Sequence, residues 1–262
     1  MKIVVCVKHV PDLQSDRRLT EQGLMDRTQG DGTLNELDEN AVEAALALVE
    51  SEGGEVIVVT VGPQDAVDAV RRGLQMGADR AVHVLDGAVA GSDVFGTAAV
   101  LAAAVRHVAA DGAVDLVLTG MASLDGLTSL LPAALAAELD LPQLTLAAEL
   151  TLADGAVRVR RDLDHATEHL SAPLPALVSV TDQSNEPRYP NFKGIMAARK
   201  KPVEVLRLAD LGIAADRVGI AGARTEVVEA SPQPAREDRV LLTDDGDAGL
   251  RLAAFLVENK LA

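Results

Sequence analysis

Four short runs of β-type composition, Ile3–Val7, Val56–Val61, Arg80–Leu85 and Asp115–Thr119, alternate with stretches whose apolar residues recur at helical spacing. Largely apolar runs of this kind need cover on both faces, and runs separated by helices are joined by right-handed crossovers. The strands are therefore expected to lie parallel in one sheet between two helical layers. The helices carry their own punctuation. Leu37–Glu50 sets Ala41, Ala44, Ala45, Leu48 and Val49 on one face, with Asn35 or Asp38 as cap and Gly53-Gly54 as stop. Pro63 suits the first position of a helix over 64–75 that ends at Gly77, and Ser92 or Asp93 caps one over 94–110.

The pattern changes after Pro142. Residues 143–152, 156–161 and 168–180 read as strands around Asp154-Gly155, a β-ribbon appended to the sheet. A loop-rich segment follows Thr181 and holds the dense basic cluster Lys193, Arg199, Lys200 and Lys201. Beyond it, 202–262 offers a few short elements, a Pro/Glu-rich linker near 231–238 and an amphipathic helix over 247–259, too little for a core of its own. The division expected is an α/β domain with its ribbon over 1–185, a recognition loop over 186–201 and a C-terminal arm over 202–262 that packs on another chain, the other reading being that it folds back on its own sheet. The polar excursion 12–34 is long enough to be functional or to shield something.

The stretch from Asp115 to Pro142 is a strand that ends at Gly120, then a loop, then a helix expected from Thr128 with Leu131, Leu135 and Leu139 at helical spacing. Such a loop lies at the carboxyl end of a parallel strand, and the helix turns free N–H groups into the same crevice, so a phosphate fits there. No Lys or Arg occurs between Asp115 and Pro142. Binding would fall to backbone N–H groups from Gly126 to Leu130, helped by the Thr128 and Ser129 hydroxyls, which favours a monophosphate over a triphosphate. The other reading of the stretch is an ordinary βα turn with Thr128 or Ser129 as helix cap.

Composition excludes several classes. With a net charge of −16, no Trp, one Tyr and three Phe, the chain would repel a phosphate backbone and lacks stacking platforms, so nucleic acid is not expected. The single cysteine, Cys6, allows no internal disulfide, the N-terminal apolar run is too short for a signal peptide, and no stretch is long enough to span a membrane. A cytoplasmic, soluble protein is expected. His9, His83, His107, His165 and His169 are scattered, and no metal site is expected. Strand 1 is followed by Lys8-His9-Val10-Pro11 rather than a Gly-rich turn, which counts against both a dinucleotide fold of the NAD type and an adenylating ligase.

Three segments, VGPQDAVDAVRRGLQMGADRAVHV (61–84), the 115–142 stretch and NEPRYPNFKGIMAARKK (185–201), together resemble the β subunit of electron-transfer flavoprotein in order and spacing, from Met1 to about Leu211. The resemblance implies a Rossmann-like fold of the adenine-nucleotide-binding type. It implies a heterodimer with an α subunit that holds FAD, while this chain binds AMP, or a second FAD in electron-bifurcating members. It also implies electrons taken from acyl-CoA and related dehydrogenases and handed to a membrane quinone oxidoreductase, with no small-molecule turnover and hence no catalytic residues. Carried over by position, the nucleotide contacts fall on Cys6, Asn35, Glu36, Leu37, Asp38, Val61, Gly120, Met121, Ala122, Ser123, Leu124, Asp125, Gly126, Leu127, Thr128, Ser129, Leu130 and Leu131. Asp162 falls at the flavin and subunit junction. Tyr189, Phe192, Ile195, Met196, Arg199, Lys200 and Lys201 fall on the loop that docks the dehydrogenase, with Phe192 as its apolar plug on a loop and the basic residues steering. The chain departs from the family pattern at Met121-Ala122 and Ser129-Leu130-Leu131, where main-chain contacts survive and side-chain contacts do not. The rival reading is a stand-alone adenine-nucleotide-binding regulatory domain, which leaves 185–262 without a role.

Overall fold

The computed structural model describes residues 1–12, 18–27, 31–231, 234–235, 240–241 and 243–261. In chain order, β1 (Lys2–Cys6) leads to an antiparallel pair, β2 (His9–Pro11) and β3 (Gly32–Leu34), then to α1 (Glu36–Glu52), β4 (Glu55–Val61), α2 (Val67–Met76) and β5 (Arg80–Val84). Next come α3 (Val94–Ala109), β6 (Leu116–Gly120), α4 (Leu131–Leu139), β7 (Gln143–Ala147), β8 (Glu149–Ala153), β9 (Ala156–Leu163) and β10 (Ala166–Pro173). The elements β11 (Ala176–Val180), α5 (Phe192–Ala198), β12 (Val203–Leu206) and α6 (Gly219–Gly222) follow.

The seven-stranded sheet has the order β12-β5-β4-β1-β6-β11-β7, and every pairing in it is parallel. The chain winds outward from β1 through β4 and β5, then returns to the other side of β1 at β6. That reversal opens a crevice at the carboxyl ends of β1 and β6. Side chains alternate between two buried layers: Ile3, Val5, Val58 and Leu118 meet α1 and α2, while Val4, Cys6, Ile57 and Val117 meet α3 and α4. Both layers are aliphatic, and no Phe or Tyr is among the buried side chains described. The expected punctuation holds where it is local. Asp93 Oδ1 accepts from the N–H groups of Phe95 (3.0 Å) and Gly96 (2.9 Å) at the start of α3, and Gly77 stops α2 at a φ of 148°.

The ribbon is built differently from the sequence reading. Residues 143–152 form two strands, β7 in the large sheet and β8 in a three-stranded antiparallel sheet β10-β9-β8. The backbone bends late in β7, where Leu146 has a φ of 61°, and between the two strands the Ala148 N–H is donated to Arg160 O at 2.7 Å. Residues 168–180 likewise split, because Pro175 has no N–H with which to continue a ladder; β10 stays in the small sheet and β11 enters the large one. The sequence reading also began the arm at residue 202, yet Val203–Leu206 adds a strand beside β5, and Leu206, Leu208 and Val218 are buried in the α3/α4 layer.

By its contacts the chain divides into Met1–Val228 and Glu229–Ala262. In the second unit, α7 (Ala248–Glu258) is preceded by a turn in which Asp244 Oδ1 accepts from the N–H groups of Gly246 (2.9 Å) and Ala248 (3.2 Å). None of its residues is buried. The linker expected near 231–238 lies largely outside the described residues, as do 13–17 and 28–30 of the polar excursion.

Candidate functional site

Cys6, Val61 and Gly120 end the neighbouring strands β1, β4 and β6, side by side at the crevice. Asn35 occupies the cap position of α1, but its side chain makes no cap bond. It reaches instead across to the loop after β6, where Nδ2 donates to Ala122 O at 2.9 Å and Oδ1 accepts from Leu124 N at 3.0 Å. Buried Asp38 makes the second tie: its carboxylate accepts from the N–H of Lys8 at 2.8 Å and of Gly120 at 3.2 Å. Gly120 has no room for a side chain, since a Cβ would stand 2.6 Å from Asp38 Oδ1 and 2.7 Å from the Leu37 carbonyl. Glu36 is exposed beside these residues.

Asp125 makes the third tie. Its buried carboxylate accepts from Lys8 Nζ at 2.8 Å, Arg27 Nη2 at 2.6 Å and Arg27 Nε at 3.0 Å, and Lys8 Nζ also lies 3.2 Å from Ser123 Oγ. The loop has no cation of its own, but two are brought to it from earlier in the chain. Both are engaged by Asp125. Gly126 and Leu127 spend their N–H groups on Ser123 O, at 3.2 and 2.8 Å, so they are not the donors expected from the sequence. Among the described residues no hydrogen bond engages the N–H groups of Thr128, Ser129 and Leu130. The helix begins at Leu131 rather than Thr128, with Leu130 at its cap position, so neither Thr128 nor Ser129 caps it. The reason is local: Leu127 and Ser129 hold φ values of 49° and 50°, which a helix does not admit. Ser129 on the left-handed side and Leu130 on the right-handed side follow one another, the alternation from which anion-binding nests are made.

The crevice holds groups pushed in opposite directions. Burial lifts the Asp38 carboxyl from 3.8 to about 7, against the N–H groups that favour its charged form. Burial, reinforced by Asp38, lifts the Cys6 thiol to about 12. The Asp125 carboxyl is held down at about 2: burial opposes ionisation, and the charges and hydrogen bonds of Lys8 and Arg27 outweigh it. Burial in turn draws Lys8 below the usual lysine range, with Asp125 acting in the other direction.

Thr119 adds a side chain that sequence reasoning missed. It shares the face of Val117, toward α3 and α4, and its buried hydroxyl has no partner among the described residues. Lys8 and Arg27 were missed too. The signal for them was the lone charge in an otherwise uncharged loop, since a buried carboxylate needs a cation or N–H donors from somewhere. Asp162 lies on β9 of the small sheet, accepts from Thr167 Oγ1 at 3.0 Å and pairs with Arg160 at 3.3 Å, and among the described residues it shares no hydrogen bond with the crevice.

The 185–201 segment forms a separate feature. Phe192 does not sit in a loop but opens the short helix α5, where Asn191 Oδ1 caps Gly194 N at 2.9 Å. Tyr189 and Phe192 are 83% and 79% exposed, Met196 is exposed and Ile195 partly covered. Arg199 and Lys200 face solvent, whereas Lys201 turns inward and donates to the carbonyls of Gly77 (3.0 Å) and Ala78 (2.6 Å) after α2. Lys201 is a helix-end cation rather than a free steering charge.

The parallel α/β sheet agrees with the fold that the sequence resemblance implies, and comparison with known proteins decides the family. A model described as the electron transfer flavoprotein domain matches residues 23–211. The chain is 43% identical over 265 residues to the electron transfer flavoprotein subunit beta of Mycobacterium leprae (strain TN), covering 99% of this chain and 98% of that one. The chain belongs to the electron transfer flavoprotein β-subunit family. It is also 42% identical to the subunit of the same name from Mycobacterium tuberculosis (strain ATCC 25618 / H37Rv), with the same coverage. A more distant relative is the caffeyl-CoA reductase-Etf complex subunit CarD of Acetobacterium woodii, 34% identical over 93% of this chain and 92% of that one. β subunits of this family are electron carriers rather than catalysts. Among the described residues, no helix is long and apolar enough to cross a membrane, and no cluster of His, Cys, Asp and Glu could hold a metal.

Proposed function

We propose that this chain is the β half of a heterodimeric electron carrier, paired with an α subunit that holds FAD, and that its own crevice binds AMP in a structural role. The observation that carries the nucleotide reading is the loop 128–130, with three N–H groups not engaged, a left-right backbone alternation at Ser129-Leu130 and the orphaned Thr119 hydroxyl on the strand that leads to it. Those donors fit one phosphate. Both nearby cations are committed to Asp125, which suits a monophosphate better than a triphosphate. Bound FAD supplies the redox chemistry; this chain's part is to hold a stable surface against the α subunit and, through Asp162, to meet the flavin junction.

In this reading electrons arrive from acyl-CoA and related dehydrogenases that dock on Tyr189 and Phe192, and leave for a membrane quinone oxidoreductase, all in the cytoplasm or at its membrane face. Exposed aromatic rings are the usual anchors of such contacts. The test is to co-express the two subunits, denature the purified heterodimer and identify what is released. FAD with AMP supports the proposal; FAD alone in twice the amount would place flavin in the β crevice, as in electron-bifurcating members, and a colourless homodimer would favour the regulatory domain.

A further inference from the structure

The segment that carries Tyr189 and Phe192 is fastened at both ends, and Arg188 is its principal fastening. The Arg188 guanidinium grips two carboxylates of α1, Glu43 through Nε (2.8 Å) and Nη2 (2.9 Å), and Glu50 through Nη1 (2.5 Å) and Nη2 (3.0 Å). Its backbone N–H donates to Glu43 as well, at 3.0 Å. Three residues earlier, Asn185 and Asn40 exchange amide bonds, Asn40 Nδ2 to Asn185 O at 2.8 Å and Asn185 Nδ2 to Asn40 O at 3.0 Å. Beyond the rings, a Cβ on Gly194 would stand 2.6 Å from Gln75 O, so α5 lies directly on the α2 backbone, and Lys201 closes the segment on the end of the same helix.

Single surface ion pairs hold little, but a planar guanidinium shared between two carboxylates two turns apart fixes direction as well as distance. Tyr189 has a tether of its own: the Arg72 guanidinium lies 5.0 Å over its ring and is itself held by Glu39 of α1 at 2.9 Å. Nothing in the chain's own core uses these two rings, and yet the backbone beneath them is braced from Asn185 to Lys201. Bracing of that kind removes ordering cost from a later binding event.

We infer that Arg188 is a positioning residue for partner docking: through Glu43 and Glu50 it presets Tyr189 and Phe192 for an apolar pocket on a protein partner. The inference rests on the docking reading above. It also makes α1 a common support, since the same helix starts from Asn35 at its cap position, carries Asp38 at the nucleotide crevice and bears the acceptors of Arg188 further along.

The test uses the co-expressed heterodimer, reduced in stopped flow by an acyl-CoA dehydrogenase with its acyl-CoA substrate. Arg188→Ala should raise the half-saturating concentration about tenfold with the limiting rate unchanged, because ordering is lost and not electron transfer. Arg188→Lys, which keeps the charge and loses the fork, should behave more like the Ala variant than like wild type. Glu50→Gln, at a more exposed position, guards against a failure to fold and should show an intermediate rise. Adding Arg188→Ala to Phe192→Ala should cost little beyond Phe192→Ala alone; an additive loss would mean that Arg188 touches the partner itself and would overturn the inference. So would an unchanged half-saturation in Arg188→Ala beside an impaired Phe192→Ala. If Phe192→Ala docks normally, the docking reading fails, and amide exchange then judges the brace separately: faster exchange over 186–192 in Arg188→Ala, with 121–130 unchanged, upholds it, and wild-type exchange overturns it.

Discussion

Asp38→Asn should flatten the pH dependence of stability between about pH 4 and about pH 7. The Asp38 carboxyl is buried, and burial raises it from 3.8 to about 7 although the Asn35 amide and the N–H groups of Lys8 and Gly120 pull the other way. Between those limits the native chain holds a proton that the unfolded chain has released. Stability from this group is therefore complete below the unfolded value and is lost as pH rises through the folded one, at about 1.4 kcal/mol for each pH step. The ceiling is about 4 kcal/mol, of which about 2 kcal/mol falls between pH 5.5 and neutrality. The Asn amide has the shape of the protonated carboxyl, keeps one carbonyl acceptor for the Lys8 or Gly120 N–H, and cannot ionise. Thermal or urea unfolding of the wild-type and variant heterodimers across this range, taken as a difference so that other titrating groups cancel, measures the effect. Parallel curves, or a variant that loses ground to wild type as pH rises, would refute the reasoning.

Other outcomes follow from the same crevice. Gly120→Ala drives a methyl into Asp38 and the Leu37 carbonyl and should cost about 1–3 kcal/mol with loss of retained nucleotide; a wild-type melting temperature would contradict that close approach. Thr119→Val removes an orphaned hydroxyl, so the nucleotide-free protein should be as stable or about 1 kcal/mol more so, while nucleotide dissociation should quicken; equal dissociation rates would take Thr119 out of the site. Asp125→Asn leaves Lys8 and Arg27 facing a neutral amide, and because the carboxyl titrates at about 2 the contribution it removes is present above about pH 4 and lost as pH falls toward 2. Allowing for the half-exposed cations, the loss at neutral pH should be about 1–2 kcal/mol, read as faster amide exchange over 121–130. Cys6, with its thiol lifted to about 12, should resist iodoacetamide in the native protein and react once it is unfolded; rapid native labelling would contradict the burial.

What could be read in the sequence was set by chain neighbours. Ile3–Val7 and Val56–Val61 announce buried strands because each residue of a parallel strand needs cover, and Gly77 and Asp93 mark helix ends because the end itself selects the residue. The alternation of these elements was enough to place a crevice at the carboxyl ends of the strands, while Cys6, Val61 and Gly120 were singled out there by the resemblance. Where the reading lapsed, the deciding partner was distant. Asp125 looks like a loop carboxylate until Lys8, 117 residues away, and Arg27 close on it, and Asn35 looks like a cap until its amide is seen bonded to Ala122 and Leu124. The edge strand β12 has the same origin, since Val203–Leu206 is too short to announce itself and gains its place only from β5. Lys201 shows most clearly why composition misleads at such points. Beside Arg199 and Lys200 it reads as one more steering charge, and an acidic chain with one basic cluster invites that reading. The carbonyls left open after α2 compete for the same ammonium, and because they lie within its reach with no side chain of their own to satisfy them, they win it. The charge that remains for a partner is thereby reduced to Lys193, Arg199 and Lys200, while the segment beneath Tyr189 and Phe192 gains its second anchor.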